Sequence, residues 1–572
     1  MLTGTSASPG ISLGKALIVE HEEIVVEKKE IDSIEKESNK FDLAIKKSTE
    51  DLIKIKNKAL EKLGEKKAAI FEAHLMVLDD PELISSTKDK IKSDKVNAEF
   101  AFKEIVDHFI SMFQNMDNEY LKERAADIKD VSDRVLRHLL GKEIVDLATL
   151  EEEVILVAPD LTPSDTATMN KDKVLGFLTD IGGRTSHTAI MARSLEVPAV
   201  VGLKNITKNV KNGDYIVFNG DTGEVIVNPD EKTINKFKKL KAEYKKMQKE
   251  LEALKGEKSI SADGREVELA GNIGTPKDIE GLNNNDAEGV GLYRTEFLYM
   301  NRDNLPTEEE QFEAYKKVLE SMNPKPIVIR TLDIGGDKNL PYLNFEEEMN
   351  PFLGYRAIRL CLDQKDIFIT QLRALLRASV YGNLRIMFPM ISNLEELLEA
   401  KKVLDEVKSD LDKEGIGYSK DIQVGMMIEV PSAAIISDVL AKHVDFFSIG
   451  TNDLIQYTTA VDRMNQKIHY LYKPFNPAVL RLIKTVIDNG HNENIWVGMC
   501  GEMAGDQKLI PILLGMGLDE FSMSPISILP ARKLIRSLKY NEVKGISDTV
   551  LKMGSSEEIE EYIEEYIERV VD

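Results

Sequence analysis

A histidine stands where a glycine-rich turn gives way to a helix, in the stretch GGRTSHTAIMAR of residues 182–193. Ser186 suits the cap of a helix that continues from Thr188 onward. His187 then lies in the first turn, where unpaired backbone N–H groups and the helix dipole favour an anion over a second cation. A neutral imidazole that accepts a phosphoryl group fits this position, and so does a histidine that only helps to cap the helix. The glycine pair and arginine before it favour phosphate chemistry.

In the second half of the chain, polar side chains fall at the ends of apolar segments that have the pattern of strands. They are Arg294, Arg330 with Asp333, Glu429, Asn452 with Asp453, and Cys500 with Glu502. Glu429 and Asp453 suit one hard cation, a Mg²⁺ ion whose coordination is completed by a substrate oxygen and water. Two carboxylates also suit an acid and base pair, so both interpretations stay open at this point.

Arginines add a second kind of chemistry to this half of the chain. Forked donors suited to a carboxylate or a phosphate come from Arg294, Arg330, Arg463 and, in NPFLGYR, Arg356. A metal ion together with arginines implies a small, doubly anionic ligand. Cys500 in GMCGEMAG places a thiol close to that ligand, whereas Cys361 in AIRLCLDQ has the apolar neighbours of a packed thiol.

Eight apolar segments alternate with helical stretches and must position these side chains. They begin at residues 267, 289, 326, 384, 423, 444, 495 and 519. Eight strands separated by helices predict a (β/α)8 TIM barrel, in which active sites lie at the C-terminal ends of the strands. The polar residues fall at that end of nearly every predicted strand.

The whole chain is predicted to be an α/β multidomain protein. Residues 1–20 and 145–229 carry strand patterns, among them VILVAP, VLGFLTD and the hairpin YIVFNGDTGEVIV, and predict one α/β domain. Residues 21–144 have helical spacing and predict a helical domain inserted into it. Residues 230–260 predict a helical linker, and residues 261–572 form the barrel.

The linker carries a narrow apolar seam that fits either a connector lying against another domain or a short coiled coil between chains. The seam consists of Phe237, Leu240, Tyr244, Met247, Leu251 and Leu254.

Composition restricts the class of protein. The 572 residues include 98 acidic and 75 basic side chains, and the formal net charge of -23 argues against binding to nucleic acid or a membrane surface. Two cysteines cannot form a disulfide framework. The opening MLTGTSASPG lacks a basic and apolar signal sequence, and no apolar run approaches a membrane span. We therefore expect a cytoplasmic protein without membrane insertion.

Motifs follow one another along the full length of the chain: SPGISLGKALIV, FEAHLMVLDDPEL, YLKERAADI, LTPSDTATMN, GGRTSHTAIMARSLEVPAVVG, GVGLYRTEFLYM, RTLDIGGDK, NPFLGYRAIR, FPMI, DFFSIGTNDL, AVDR, GMCGEMAG and LGMGLDEFSMSP. With them the chain resembles the Enzyme I family of the bacterial phosphotransferase system, the phosphoenolpyruvate-protein phosphotransferases. The chain departs from the family's usual sequence at one position outside these motifs. Val430 stands where a threonine often precedes the proline, and this change leaves Glu429 in register.

The resemblance implies a function for each predicted domain. The α/β domain would swivel and carry the phosphorylated His187, supported by Thr166. The inserted helices would dock the small phosphocarrier protein HPr, and the barrel would bind phosphoenolpyruvate and form a homodimer. The enzyme would pass the phosphoryl group of phosphoenolpyruvate to His187 and then to a histidine of HPr, releasing pyruvate in the first step of sugar uptake.

The resemblance also implies a role for each residue of the rim. Arg294 and Arg330 would bind the phosphate, Asn452, Asp453 and Arg463 would hold phosphoenolpyruvate, and Arg356 would support them. Glu429 and Asp453 would bind Mg²⁺, and Cys500 would donate a proton.

Two rival functions share part of this pattern. Pyruvate phosphate dikinase and phosphoenolpyruvate synthase resemble the chain in the histidine turn and the barrel, but they need an ATP-binding domain ahead of the swivelling one. A regulatory protein that senses phosphoenolpyruvate and passes no phosphate on is the other rival, and the intact His187, Cys500 and metal ligands argue against it.

Overall fold

The structure is a computed structural model that describes residues 2–19, 26–63, 65–114, 119–141, 147, 150, 152–161, 169–183, 186–195, 197–300, 302, 304–335, 340, 342–343, 348–463, 465 and 467–571. The chain divides into two compact units, Met1–Gln248 and Lys249–Asp572. No helix within these ranges is long and apolar enough to cross a membrane.

Five helices follow one another in the first unit, as the helical spacing predicted. They are α1 (Ile34–Leu63), α2 (Glu65–Leu78), α3 (Pro81–Asp94), α4 (Ala98–Gln114) and α5 (Glu119–Leu140). Their apolar faces meet in one core, where the rings of Phe41 and Phe102 lie 5.5 Å apart beside the buried Val135. Asp80 caps α3 by accepting backbone N–H groups, and Pro81 fits the first turn because no donor is needed there.

The first unit also contains an eight-stranded sheet whose strands come from both sides of this helical segment. They are β1 (Leu2–Thr3), β2 (Thr5–Ser8), β3 (Ile11–Ile18), β4 (Val154–Ala158), β5 (Val174–Thr179), β6 (Ala199–Val201), β7 (Tyr215–Asn219) and β8 (Glu224–Val227), in the spatial order β1-β8-β7-β3-β4-β5-β6-β2. Strand β3 pairs in parallel with β4 and antiparallel with β7. Helices α1 to α5 are therefore inserted between two neighbouring strands.

The strands predicted at VILVAP, VLGFLTD and the hairpin are confirmed as β4, β5 and the pair β7 and β8. Sequence analysis did not predict β6. Its three residues, AVV, are too few to show an alternation of apolar and polar side chains.

Helix α6 (His187–Leu195) begins at His187, directly after the glycine-rich turn. The hydroxyl of Ser186 accepts a hydrogen bond from the backbone N–H of Ala189 at 3.3 Å, so the predicted cap is confirmed. Gly182 has a φ of 122°, which residues other than glycine rarely adopt. The turn before the helix therefore needs a glycine at this position. The structure describes the backbone of His187 and not its side chain. A short helix, α7 (Ile206–Asn209), follows β6.

The helix predicted within residues 230–260 is confirmed as α8 (Glu231–Glu252). Phe237 is buried and packs with Ile11, Leu13 and Val217 of the sheet, because it faces β3 and β7. Met247, further along the predicted seam, is 42% exposed. The first part of the helix is thus part of the core of the first unit.

Eight parallel strands close into a barrel in the second unit, and all eight were predicted. They are β9 (Glu268–Ile273), β10 (Gly289–Arg294), β11 (Pro326–Arg330), β12 (Asn383–Phe388), β13 (Gln423–Ile428), β14 (Phe446–Ile449), β15 (Trp496–Met499) and β16 (Glu520–Met523), with β16 pairing back to β9. Because every neighbouring pair is parallel, the C-terminal ends of all eight strands share one rim.

Helices surround this barrel and cover the outward side chains of its strands. They are α9 (Ile279–Asn284), α10 (Glu308–Met322), α11 (Ile358–Asp363), α12 (Lys365–Ala378), α13 (Leu394–Glu414), α14 (Pro431–Ile435), α15 (Ser437–Leu440), α16 (Thr451–Thr459), α17 (Pro477–Asn492), α18 (Ile510–Met516), α19 (Pro525–Ser537), α20 (Tyr540–Val550) and α21 (Ser556–Val571). Strand side chains join two separate apolar clusters. The smaller one contains Leu292, Val328, Met387 and Met427, and the larger one packs the helices against the strands.

An acidic pair lies at the opposite end of the barrel from the rim. Glu520 and Glu268 begin the neighbouring strands β16 and β9 in register. Glu520 is buried, and neither of its carboxylate oxygens has a hydrogen-bond partner among the described residues. Arg385 lies 3.9 Å from Glu268 and over the ring of Trp496 at 4.6 Å. Burial and the Glu268 carboxylate raise the pKa of Glu520 to about 8, although Arg385 opposes the shift.

We predict that Glu520→Gln makes the stability of the protein less dependent on pH. The pKa of Glu520 is raised in the folded state, so its contribution to stability is complete below the ordinary glutamate value and is lost as the pH rises through about 8. The side chain of the variant cannot ionise at this position. The melting temperature of the variant minus that of the parent should therefore be larger at pH 9 than at pH 5. Thermal unfolding of the full chain across this range checks it, and two parallel curves would contradict it.

Candidate functional site

A cavity of about 470 Å³ lies at the rim of the barrel. It collects every barrel residue that the sequence predicted for the site: Arg294, Arg330, Arg356, Glu429, Asn452, Asp453, Arg463 and Cys500. These residues are spread between positions 294 and 500 of the sequence, and the parallel arrangement of the strands brings them together.

Strand ends and one helix start position these side chains. Arg294 and Arg330 are the last residues of β10 and β11, and Glu429 and Cys500 come directly after β13 and β15. Asp453, with Asn452 beside it, lies in the first turn of α16, which begins just after β14. A Cβ atom on Gly450, at the entrance to α16, would lie 3.1 Å from Glu429 Oε2 and 2.9 Å from a methionine sulfur, so a glycine leaves room for the carboxylate.

Asp333 binds two arginines of the cavity at once. One of its oxygens lies 2.9 Å from Arg330 Nη1 and the other lies 2.8 Å from Arg356 Nη2. Arg330 also contacts Glu296 Oε1 through Nη2 at 3.0 Å. Burial alone would lower the pKa of each guanidinium, but the neighbouring carboxylates outweigh it and raise both pKa values. Both arginines are therefore fixed, charged donors.

Each of these guanidinium groups has one N–H donor that no described residue accepts. The Nε atoms of Arg330 and Arg356 are buried and have no hydrogen-bond partner among the residues that the structure describes. Buried donors are rarely left unpaired, since the lost hydration costs about 1 to 3 kcal/mol. The guanidinium groups that carry these unpaired donors line the cavity.

Glu429 is the most deeply buried carboxylate of the cavity, with 1% of its surface exposed. One of its oxygens accepts a hydrogen bond from the backbone N–H of Met390 at 2.6 Å. Burial, together with the carboxylates of Asp453 and Asp333, raises the pKa of Glu429 to about 8 against the effect of the nearby arginines. A metal cation bound by these carboxylates would reduce the repulsion between them.

The oxygen donors of Glu429 and Asp453 fit a hard divalent ion. Two carboxylates do not complete its coordination shell, and the described part of the chain contains no group of three or more histidine, cysteine, aspartate or glutamate side chains suited to a metal. The remaining ligands would have to come from a substrate and water, as the sequence analysis expected.

Cys500 is 3% exposed and lines the cavity, with its sulfur 3.9 Å from the carbonyl oxygen of Ile449. Burial raises the pKa of the Cys500 thiol to about 11, while a hydrogen bond with Ser448 and the charge of Arg330 oppose the shift. The group is a protonated thiol at neutral pH. Cys361 lies in α11, is fully buried away from the cavity, and also has a raised pKa because of burial.

Sequence reasoning missed several residues of the cavity. Glu296 follows Arg294 by two positions, and the rule that polar residues after strands face the rim was sufficient to find it. Phe352 and His469 lie in single-turn 3-10 helices, and Tyr472 directly follows the second of these, so none of the three had a comparable pattern in the sequence. Asp333 was noticed as a polar residue at a strand end, but its contact with two arginines was not predicted.

Two predicted residues remain, His187 and Thr166. His187 is the first residue of α6, with its backbone at the capped end of that helix. Thr166 lies outside the described residues.

Three family models match this chain. The PEP-binding domain of PEP-utilising enzymes matches residues 248–540, which include every residue of the cavity. The N-terminal model of the same enzymes matches residues 3–124, and their mobile domain matches residues 150–223.

Curated relatives match over nearly the full length. A phosphoenolpyruvate-protein phosphotransferase of Priestia megaterium is 58% identical over 561 residues, which cover 98% of each chain. The protein of the same name from Bacillus subtilis (strain 168) is also 58% identical, over 558 residues and 98% of each chain. A solution NMR structure of an Enzyme I protein is 51% identical and covers 43% of this chain and 100% of its own; its TM-score of 0.40 is too low to bear on the fold.

The PEP-binding match spans the barrel whose rim holds the cavity, and the relatives match this chain from end to end. The chain therefore belongs to the family of phosphoenolpyruvate-protein phosphotransferases.

Proposed function

We propose that this enzyme transfers the phosphoryl group of phosphoenolpyruvate to its own His187 and then to a histidine of the phosphocarrier protein HPr. The observation that carries the proposal is the cavity at the barrel rim, where four arginines and a set of buried carboxylates surround a thiol. Phosphoenolpyruvate has a carboxylate and a phosphate, so it is the small, doubly anionic ligand that such arginines suit.

The arginines and Asn452 bind and orient the substrate. Arg294 and Arg330 bind the phosphate, and Arg463 with Asn452 holds the rest of phosphoenolpyruvate. Arg356 supports this set through the Asp333 carboxylate that it shares with Arg330. Phosphoryl transfer depends mainly on positioning and on neutralisation of charge, and fixed guanidinium donors supply both.

Enzymes of this family need a divalent metal ion, and we propose Mg²⁺ bound by Glu429 and Asp453. The crowded carboxylates and their hard oxygen donors fit such an ion. When bound, it would neutralise charge on the transferred phosphoryl group and on the leaving oxygen. Asp453 also lines the cavity, where it would contact the substrate as well as the metal ion.

The bond changes place His187 and Cys500 in successive steps. The imidazole nitrogen of His187 attacks phosphorus, the bond from phosphorus to the enol oxygen breaks, and its electron pair leaves with the enolate of pyruvate. Thr166 supports the phosphorylated histidine. Cys500 then donates its proton to the methylene carbon of the enolate, which yields pyruvate, and the thiolate afterwards regains a proton. The raised pKa keeps the thiol protonated until that step.

The domain roles and the partners are those that the family resemblance implies. Residues 21–144 dock HPr, and His187, carried by the α/β domain formed by residues 1–20 and 145–229, swivels between the barrel and HPr on the linker of residues 230–260. The barrel of residues 261–572 forms the homodimer interface. We expect the enzyme to act in the cytoplasm, with no membrane insertion.

A transfer assay tests the proposed function. Labelled phosphoenolpyruvate with Mg²⁺ should label the chain, and added HPr should remove the label; ATP, the control donor, should label nothing. Label that reaches the chain but never leaves would favour a sensor. Labelling by ATP would favour the dikinase and synthase reactions.

We predict that His187→Ala abolishes phosphorylation and leaves phosphoenolpyruvate binding nearly intact. The reason is that His187 belongs to the first unit, whereas every residue of the cavity belongs to the second. Calorimetric titration of the variant with phosphoenolpyruvate and Mg²⁺ should show binding. Loss of binding together with phosphorylation would mean that His187 helps to build the pocket.

For the metal, Glu429→Ala and Asp453→Ala should each lose the activity that depends on a divalent ion, because one carboxylate cannot hold an ion that keeps most of its waters. Asp438→Ala removes an exposed carboxylate of α15 that does not line the cavity, and it serves as the matched control. Steady-state rates with and without a chelator check the prediction. Activity that a chelator does not change in either of the first two variants contradicts the site.

The two cysteines should behave differently. Cys500→Ala should slow net conversion to pyruvate by about 10² to 10⁴-fold, the range for loss of a general acid. His187 in this variant should still accept label from phospho-HPr, since that reaction does not use the enolate. Cys361→Ala, the matched control, should change turnover little and lower stability. Pyruvate release decides between them, and near-normal turnover of Cys500→Ala would end the assignment of the proton donor.

A further inference from the structure

Tyr457 lies behind the cavity and contacts its wall without lining it. Its hydroxyl accepts a hydrogen bond from Arg356 Nη1 at 3.1 Å and donates one to the carbonyl oxygen of Phe352 at 2.6 Å. The same hydroxyl is 3.9 Å from the sulfur of Met390, whose backbone N–H binds Glu429. One side chain thus contacts two segments that carry residues of the proposed substrate and metal sites.

Tyr457 lies on α16, the helix that also carries Asp453. Tyr457 follows Asp453 by four residues, so both side chains lie on one face of the helix. The other partners, Phe352 and Arg356, belong to a loop a hundred residues earlier in the chain. The hydroxyl therefore connects the loop of Arg356 to the helix that supplies Asn452 and Asp453.

Arg356 is held at one end of its guanidinium by carboxylates and at the other end by Tyr457. Its Nη2 atom lies 2.8 Å from Asp333 and 3.7 Å from Asp453, so two carboxylates compete for one end of the guanidinium. The bond from Nη1 to Tyr457 fixes the second end, and the plane of the guanidinium is then determined. The Tyr457 hydroxyl is protonated at physiological pH, as tyrosines ordinarily are, and burial raises its pKa further, to about 12.

We propose that Tyr457 is a positioning residue for phosphoenolpyruvate, which holds the guanidinium of Arg356 in the orientation that the substrate anion requires. This inference rests on the proposed function, because it assumes that the cavity binds phosphoenolpyruvate. Removing the hydroxyl leaves Arg356 Nη1 and the Phe352 carbonyl without their partner and the aromatic ring in place.

Tyr457→Phe in the full chain should raise the KM for phosphoenolpyruvate by about 10 to 100-fold, the range for loss of a hydrogen bond to a charged group. The kcat should change much less, because the arrangement at the reacting phosphorus depends on other residues. The matched control is Tyr355→Phe, whose hydroxyl bonds to Asp363 and Gln364 and not to Arg356. Its KM should equal that of the parent.

Further measurements separate positioning from a general loss of structure. Transfer from phospho-HPr to His187 should be unchanged in Tyr457→Phe, since it does not use the cavity. The effect on KM should also shrink toward nothing when Tyr457→Phe is combined with Arg356→Ala, because a residue that acts through Arg356 has no effect without it.

The inference and the proposed function fail in different ways. A parent protein that gains no phosphoryl group from phosphoenolpyruvate would overturn the proposed function. An active parent with an unchanged KM in Tyr457→Phe, or an effect that simply adds to that of Arg356→Ala, would overturn the positioning role alone.

Discussion

Asp333 is the residue on which the rim of the barrel depends, because its two oxygens hold Arg330 and Arg356 at once. Two guanidinium groups that face one cavity repel each other, and both are almost completely buried. A shared carboxylate between them removes that repulsion and fixes the distance between their charges. The binding geometry for a doubly anionic ligand is therefore built before the ligand arrives.

The same cavity mixes positive and negative charge at short range. Asp333 and Glu296 neutralise the arginines in part, while Glu429 and Asp453 add negative charge close to the same guanidinium groups. In the proposed function the arginines would take the substrate anion and the two carboxylates would take the metal ion. The thiol of Cys500 lies in this same cavity and stays protonated because burial disfavours its thiolate.

Much of this site could be predicted from the sequence because parallel strands place their C-terminal ends on one rim. Arg294, Glu429 and Cys500 each follow an apolar run, and that position alone predicts where they lie. The contacts of Tyr457 could not be predicted, since they join a loop and a helix a hundred residues apart. The acidic partner of Glu268 at the far end of the barrel was equally hidden, because it depends on the register between the last strand and the first.

The measurement that tests the central claim most directly is the location of the phosphoryl group. The full chain, incubated with phosphoenolpyruvate and Mg²⁺ and kept at alkaline pH, can be fragmented by electron transfer and sequenced by mass spectrometry. The account predicts one phosphoryl group per chain, on His187. A phosphoryl group on any other residue, or pyruvate release with no phosphorylated chain, would contradict it.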